Sequence, residues 1–137
     1  MGRFSVEMEI RNHQDVNLAQ AGHLPVEKVR RIKLKGLVDT GATSLVLPES
    51  VVAALGLPAK GRSEVRYADH RSALRQRVCD AEVELLGRTG VFSAIVEPER
   101  AEALIGAIVL EELDLVVDRL GQKLEPRDPR EVTFAIG

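Results

Sequence analysis

Within "GLVDTGATSLVLPESVVAALGL", residues 36–57, a carboxylate follows two apolar residues and precedes a small-residue turn. Asp39 stands directly after Leu37 and Val38 and directly before Thr40, Gly41 and Ala42. An ionised carboxylate at the end of a core-bound strand is expensive unless it is partnered. Three chemistries could account for it. A structural aspartate would start the turn by bonding a nearby amide. A metal ligand would need companions, and no His, Asp or Glu cluster at a characteristic spacing accompanies it. A catalytic carboxylate would be held by its own turn, and the neighbouring residues favour this reading. Thr40 brings a hydroxyl that can brace the turn, and Gly41 permits backbone conformations other residues resist. Ala42 leaves room for a ligand, and Thr43 or Ser44 can donate to a carboxylate oxygen.

The surrounding elements must position this turn. Phe4, Val6, Met8 and Ile10 alternate with polar residues, which predicts a half-buried strand. "NHQDVNLAQAGHLP" is rich in turn formers and reads as a loop. "VRRIKLKGLVD" alternates again and becomes continuously apolar at Leu37-Val38, as a strand entering a core would. In "LPESVVAALGL" the pattern predicts a short helix, with Pro48 at its first position and Gly56 ending it. "SEVRYADHRSALRQRVCDAEVELLG" predicts a long hairpin turning at Ala68-Asp69-His70-Arg71, with Cys79, Ala81, Val83 and Leu85 facing one way on the return. "GRTG" is a further turn and "VFSAIVE" a further strand. "ALIGAIVLEELDLVVD" begins apolar, passes through a helical turn at Ile108, Leu110 and Leu113, and returns to strand. Val132, Phe134 and Ile136 alternate near the C-terminus. Many short strands with one or two short helices predict an all-β barrel or sandwich.

The totals agree with this and exclude other classes. The 137 residues suit one domain, 1–137, and no linker or repeat divides it. With 45% hydrophobic and 29% charged residues, the chain reads as globular. A net charge of −2 and only 3% aromatics speak against a nucleic-acid partner. No apolar run approaches the roughly 20 residues of a membrane helix. The N-terminus lacks a signal-peptide core, and the lone Cys79 cannot form an internal disulfide, so the expected location is cytoplasmic.

"LVDTGATSLVLP" resembles the active-site motif of retropepsin-like aspartic proteases. The resemblance extends over roughly residues 30 to 126. Leu104-Ile105-Gly106, followed by "AIVLEELDLVVD", is similar to the family's second hydrophobic-hydrophobic-Gly segment and its helix. The intervening hairpin holds the place of the family's flap. The length and the N-terminal "MEIRN" strand look most similar to the small bacterial members. The resemblance implies an all-β, closed retropepsin-like barrel that acts as a homodimer. It also implies an aspartic endopeptidase that takes a peptide or protein substrate and needs neither metal nor cofactor. Asp39 would be the acid/base and would pair with its copy from a second chain. Thr40 would brace the two active loops, and Gly41, Ala42 and Thr43 would border the substrate. Leu104, Ile105 and Gly106 would form the supporting second loop. Tyr67, Ala68, Asp69, His70 and Arg71 would form the flap, which departs from the family in having no glycine at its tip. The rival reading is a peptide-binding or dimerisation module of the same fold with little or no catalytic activity.

The other chemistry-capable residues have plainer readings. Cys79 reads as a small core residue, and His13 and His23 as solvated loop histidines. Arg30, Arg31, Lys33 and Lys35 read as a solvated strand face. "EVTFAIG" is either an edge strand of its own chain or a strand that interleaves with Phe4 to Ile10 of a partner, the latter being favoured because it covers exposed strand edges.

Overall fold

The computed structural model describes residues 3–137. Nine strands dominate: β1 (Phe4–Asn12), β2 (Arg31–Val38), β3 (Leu45–Pro48), β4 (Ala59–Arg66), β5 (Ser72–Leu85), β6 (Arg88–Glu97), β7 (Ala103–Ile105), β8 (Leu115–Asp118) and β9 (Lys123–Pro126). Three short helices join them: α1 (His13–Gln20), α2 (Glu49–Leu55) and α3 (Ala107–Leu113). The main sheet runs β1-β2-β7-β3-β6-β5-β4, and a second pairing between β1 and β5 closes six of these strands into a barrel. β4 remains outside the ring and continues the β5 edge as a hairpin. β8 and β9 form a separate two-stranded ribbon.

The barrel interior is aliphatic. Ile10, Val38, Leu45, Leu47, Val83, Leu85, Ile105 and Leu113 are almost completely buried in one cluster. On the outer face of β1 and β2 the register sets Glu7 opposite Lys35 and Glu9 opposite Lys33. The basic strand face is therefore solvated, as expected, and also charge-matched across the ladder.

Four sequence expectations are corrected. The segment read as a loop contains α1. Its turn formers become helical because Asn12 caps them: the Asn12 side-chain oxygen accepts from the Asp15 amide at 3.0 Å, and its amide group donates to Leu55 O at 2.8 Å. Asp15 is then held by Arg30 through Nε at 2.8 Å and Nη2 at 3.0 Å, which ties the helix to the start of β2. Cys79 is half-buried and does not join the core. A bulge between Val78 and Ala81, with Asp80 at φ 63°, re-phases the strand, so Val78 faces the core before it and Ala81 after it. The C-terminal alternation forms no strand of its own chain among the described residues, which corrects the edge-strand reading and leaves the interleaved one open to a partner. The segment is fastened instead by Asp114, whose carboxylate takes the Arg127 guanidinium and the Thr133 amide, leaving Phe134 and Ile136 exposed. His13 is also paired, its Nδ1 lying 2.7 Å from Glu82 Oε1.

Candidate active site

Asp39 follows directly on the end of β2, where the ladder changes partner. β2 and β7 run parallel with Val38 opposite Ile105, and the Asp39 amide donates to Ile105 O at 3.1 Å. The chain then turns: the Ala42 amide donates to Asp39 O at 3.1 Å and the Gly41 amide to Asp39 Oδ1 at 3.0 Å. The expected donors to this carboxylate, Thr43 and Ser44, make no such bond among the described residues. The backbone of Gly41 supplies it. Gly41 has no positive φ, contrary to the conformational reason offered for it. Its lack of a side chain matters through space, because a Cβ there would lie 3.3 Å from Asp39 Oδ1.

The second loop supports the first from behind. The amides of Ala107 and Ile108 donate to Ala42 O at 2.8 Å and Thr43 O at 3.0 Å. Gly106 is where the two backbones nearly touch, and a Cβ there would lie 2.4 Å from Ser44 O and 2.6 Å from the Thr43 carbonyl carbon. Only glycine fits that approach. Leu104 reaches the cleft, whereas Ile105 and Gly106 are buried behind the loop.

A cleft of about 1440 Å³ opens above Asp39, floored by residues 38–44 and roofed by the β4–β5 hairpin. The hairpin turns over Tyr67–Arg71, where Arg71 O accepts from the Tyr67 amide at 2.8 Å. The missing glycine is accommodated by His70, which adopts φ 71°. Tyr67, Ala68 and His70 line the cleft. Asp69 and Arg71 do not: they pair with each other on the outside at 2.7 Å. The tip is held by contacts that no sequence pattern announces. The Tyr67 hydroxyl donates to Glu97 Oε2 at 2.5 Å, and Arg75 Nε reaches both Tyr67 Oη at 3.1 Å and Glu97 Oε1 at 3.0 Å. Glu97 as acceptor keeps the phenol protonated and raises its pKa above the usual tyrosine range. Glu97 is 30 residues from Tyr67, so no local pattern announces it as the acceptor.

The Asp39 side chain is 16% exposed, so its carboxylate is confined yet open to the cleft. Arg3 Nη2 lies 3.2 Å from Asp39 Oδ2, a contact sequence reasoning did not anticipate. Among the described residues no group of His, Cys, Asp and Glu could hold a metal ion.

A closed six-stranded barrel with Asp-Thr-Gly at a strand end and a hairpin over the cleft is the retropepsin-like arrangement. The family model described as "gag-polyprotein putative aspartyl protease" matches residues 26–112, and the chain belongs to that family. The match includes the Asp39 loop, the hairpin and the Gly106 loop. No curated protein matches the chain. No helix is long and apolar enough to cross a membrane.

Proposed function

We propose that residues 1–137 form one aspartic endopeptidase domain that cleaves extended peptides with two Asp39 carboxylates, one from each chain of a cytoplasmic homodimer. The observation that carries this is the Asp39 carboxylate, fixed by the Gly41 amide at 3.0 Å and opening into a roofed cleft. The sequence holds one Asp-Thr-Gly, and the chemistry needs two carboxylates. A two-fold axis supplies the second. Exposed Phe134 and Ile136 support such an interface, as does the Phe4–Met8 stretch of β1, which pairs only with β2 among the described residues.

In the dimer the two like charges share one proton, a pattern for which aspartic proteases are the standard example. The ionised Asp39 takes a proton from water as that water attacks the scissile carbonyl. The protonated Asp39 polarises the carbonyl oxygen and later protonates the leaving amine. Arg3 must leave Asp39 Oδ2 for the second carboxylate to approach. Thr40 braces the paired loops, Gly41, Ala42 and Thr43 border the substrate, and Gly106 keeps the loop seated. Tyr67, Ala68 and His70 close over the peptide and exclude water, with Asp69 and Arg71 clamping the turn from outside.

Peptide-library cleavage between about pH 3 and about pH 8 tests the reading. Wild type is expected to cleave, to lose cleavage on Asp39→Asn, and to be blocked by a statine-type transition-state mimic. A well-folded dimer that binds peptides and cleaves none would establish the binding-module reading in its place.

A further inference from the structure

The cleft has a charge pattern that the dyad does not use. Arg66 on the hairpin, Arg77 on β5, Arg100 in the β6–β7 turn and Arg119 in the β8–β9 turn all border it. None of the four has an ion-pair partner among the described residues, and Arg100 donates only to the Glu102 carbonyl oxygen. The acidic groups on the same walls do not cancel them. Asp39 is met by Arg3, and Glu97 is engaged by Tyr67 and Arg75. Only Glu64 and Glu99 remain, and both are exposed. Arg77 is the most telling of the cations. It is half-buried on a strand, opposite Ile95, another cleft residue, and no carboxylate among the described residues pairs with it. The whole chain carries −2, so this excess of guanidinium is a local feature of the cleft.

We infer that the cleft selects acidic peptide segments, with Asp or Glu side chains flanking the scissile bond and seated against Arg66, Arg77 and Arg100. This rests on the peptidase reading for its scissile bond, but the binding preference stands on the cleft alone. An extended peptide alternates its side chains between two walls, and guanidiniums occur both on the hairpin above and in the turn at the end of β6, so carboxylates on either side of the strand find a partner. Guanidinium also suits the planar, two-oxygen geometry of a carboxylate. A nucleic-acid strand is the weaker occupant, because tryptophan is absent and Tyr67, the chain's only tyrosine, is the single Phe, Tyr or Trp among the cleft residues described.

The test uses the full chain and three fluorescent decapeptides that differ only in flanking Glu, Gln or Lys. Binding is read on Asp39→Asn and cleavage on wild type. The Glu peptide is expected to bind roughly tenfold more tightly than the Gln peptide at low salt, with the advantage shrinking as salt rises. Arg77→Glu is expected to reverse the order of the Glu and Lys peptides. Arg66→Glu, at an exposed position that leaves folding intact, is expected to weaken it. Equal binding of all three peptides by a folded protein would overturn the inference, as would a single-stranded oligonucleotide that displaces the Glu peptide at equal concentration. The two readings fail separately. Cleavage without charge preference sinks only this inference, and charge-selective binding without cleavage sinks only the peptidase.

Discussion

Two strand ends lie side by side in this molecule and carry opposite residues. β2 and β7 are parallel neighbours, with Leu37 opposite Leu104 and Val38 opposite Ile105. One step further along, the first chain segment has Asp39 and the second has Gly106. Both segments are apolar before that step, and both lead on to a short helix, the first by way of β3. The first places a carboxylate in a cleft. The second places no side chain at all, because Ser44 O and the Thr43 carbonyl already occupy the space. The pair teaches that one site can divide its labour between a residue chosen for its charge and a residue chosen for its absence of bulk. Under the function proposed above, it would also explain why one chain offers half of a dyad, since the neighbouring strand end is spent on support.

Substitutions can break this comparison in order of size. Asp39→Asn is expected to lower peptide cleavage by about 10² to 10⁴-fold, the usual worth of positioned acid–base groups, while the melting temperature stays near that of wild type. A matching loss of stability would mean that Asp39 is structural. Gly106→Ala is expected to do the reverse, destabilising the fold by about 3 kcal/mol because the new Cβ meets backbone that cannot move aside. Denaturant titration checks it, and an unchanged midpoint would contradict the packing described for the loop. Tyr67→Phe is expected to cost about 1 kcal/mol by removing the bond to Glu97, and hydrogen exchange in residues 67–71 should rise selectively. The smallest effect concerns α1. The Arg30 guanidinium holds the Asp15 carboxyl below its ordinary pKa. A depressed folded pKa adds stability above the unfolded value of about 3.9, and this is lost as the pH falls through the folded value. Asp15→Asn is therefore expected to lower the melting temperature near neutral pH and to flatten its fall on acidification. A parallel fall in both proteins would contradict the pairing.

The same contrast shows what the sequence could reveal. Asp39 and Gly106 were both legible, because each sits in a short segment whose apolar approach, small-residue turn and following helix are contiguous. The hairpin turn was legible because its two alternating strands and its turn are contiguous. Contacts between distant segments were not. Arg3 meets Asp39 at the end of the β1–β2 ladder, and Glu97 at the end of β6 reaches Tyr67 and Arg75 of the β4–β5 hairpin, so these contacts depend on how strands pair and leave no local pattern. α1 leaves no helical signature because its stability comes from Asn12 and Arg30 and not from an apolar face. The half-buried position of Cys79 is hidden because an alternating pattern cannot show that a bulge will interrupt it. At the C-terminus the alternation of Val132, Phe134 and Ile136 was real, but a strand also needs a partner edge, and a periodic pattern does not provide one.

The central claim is that two copies of Asp39 act as one unit, and mixed dimers test it most directly. Wild-type and Asp39→Asn chains, differently tagged, would be mixed in known ratios, allowed to exchange to equilibrium, and assayed on a cleavable peptide. A shared dyad predicts activity proportional to the square of the wild-type fraction, so an equal mixture keeps about a quarter of the activity. A linear dependence, with about half the activity retained, would show that each chain works alone and would contradict the account.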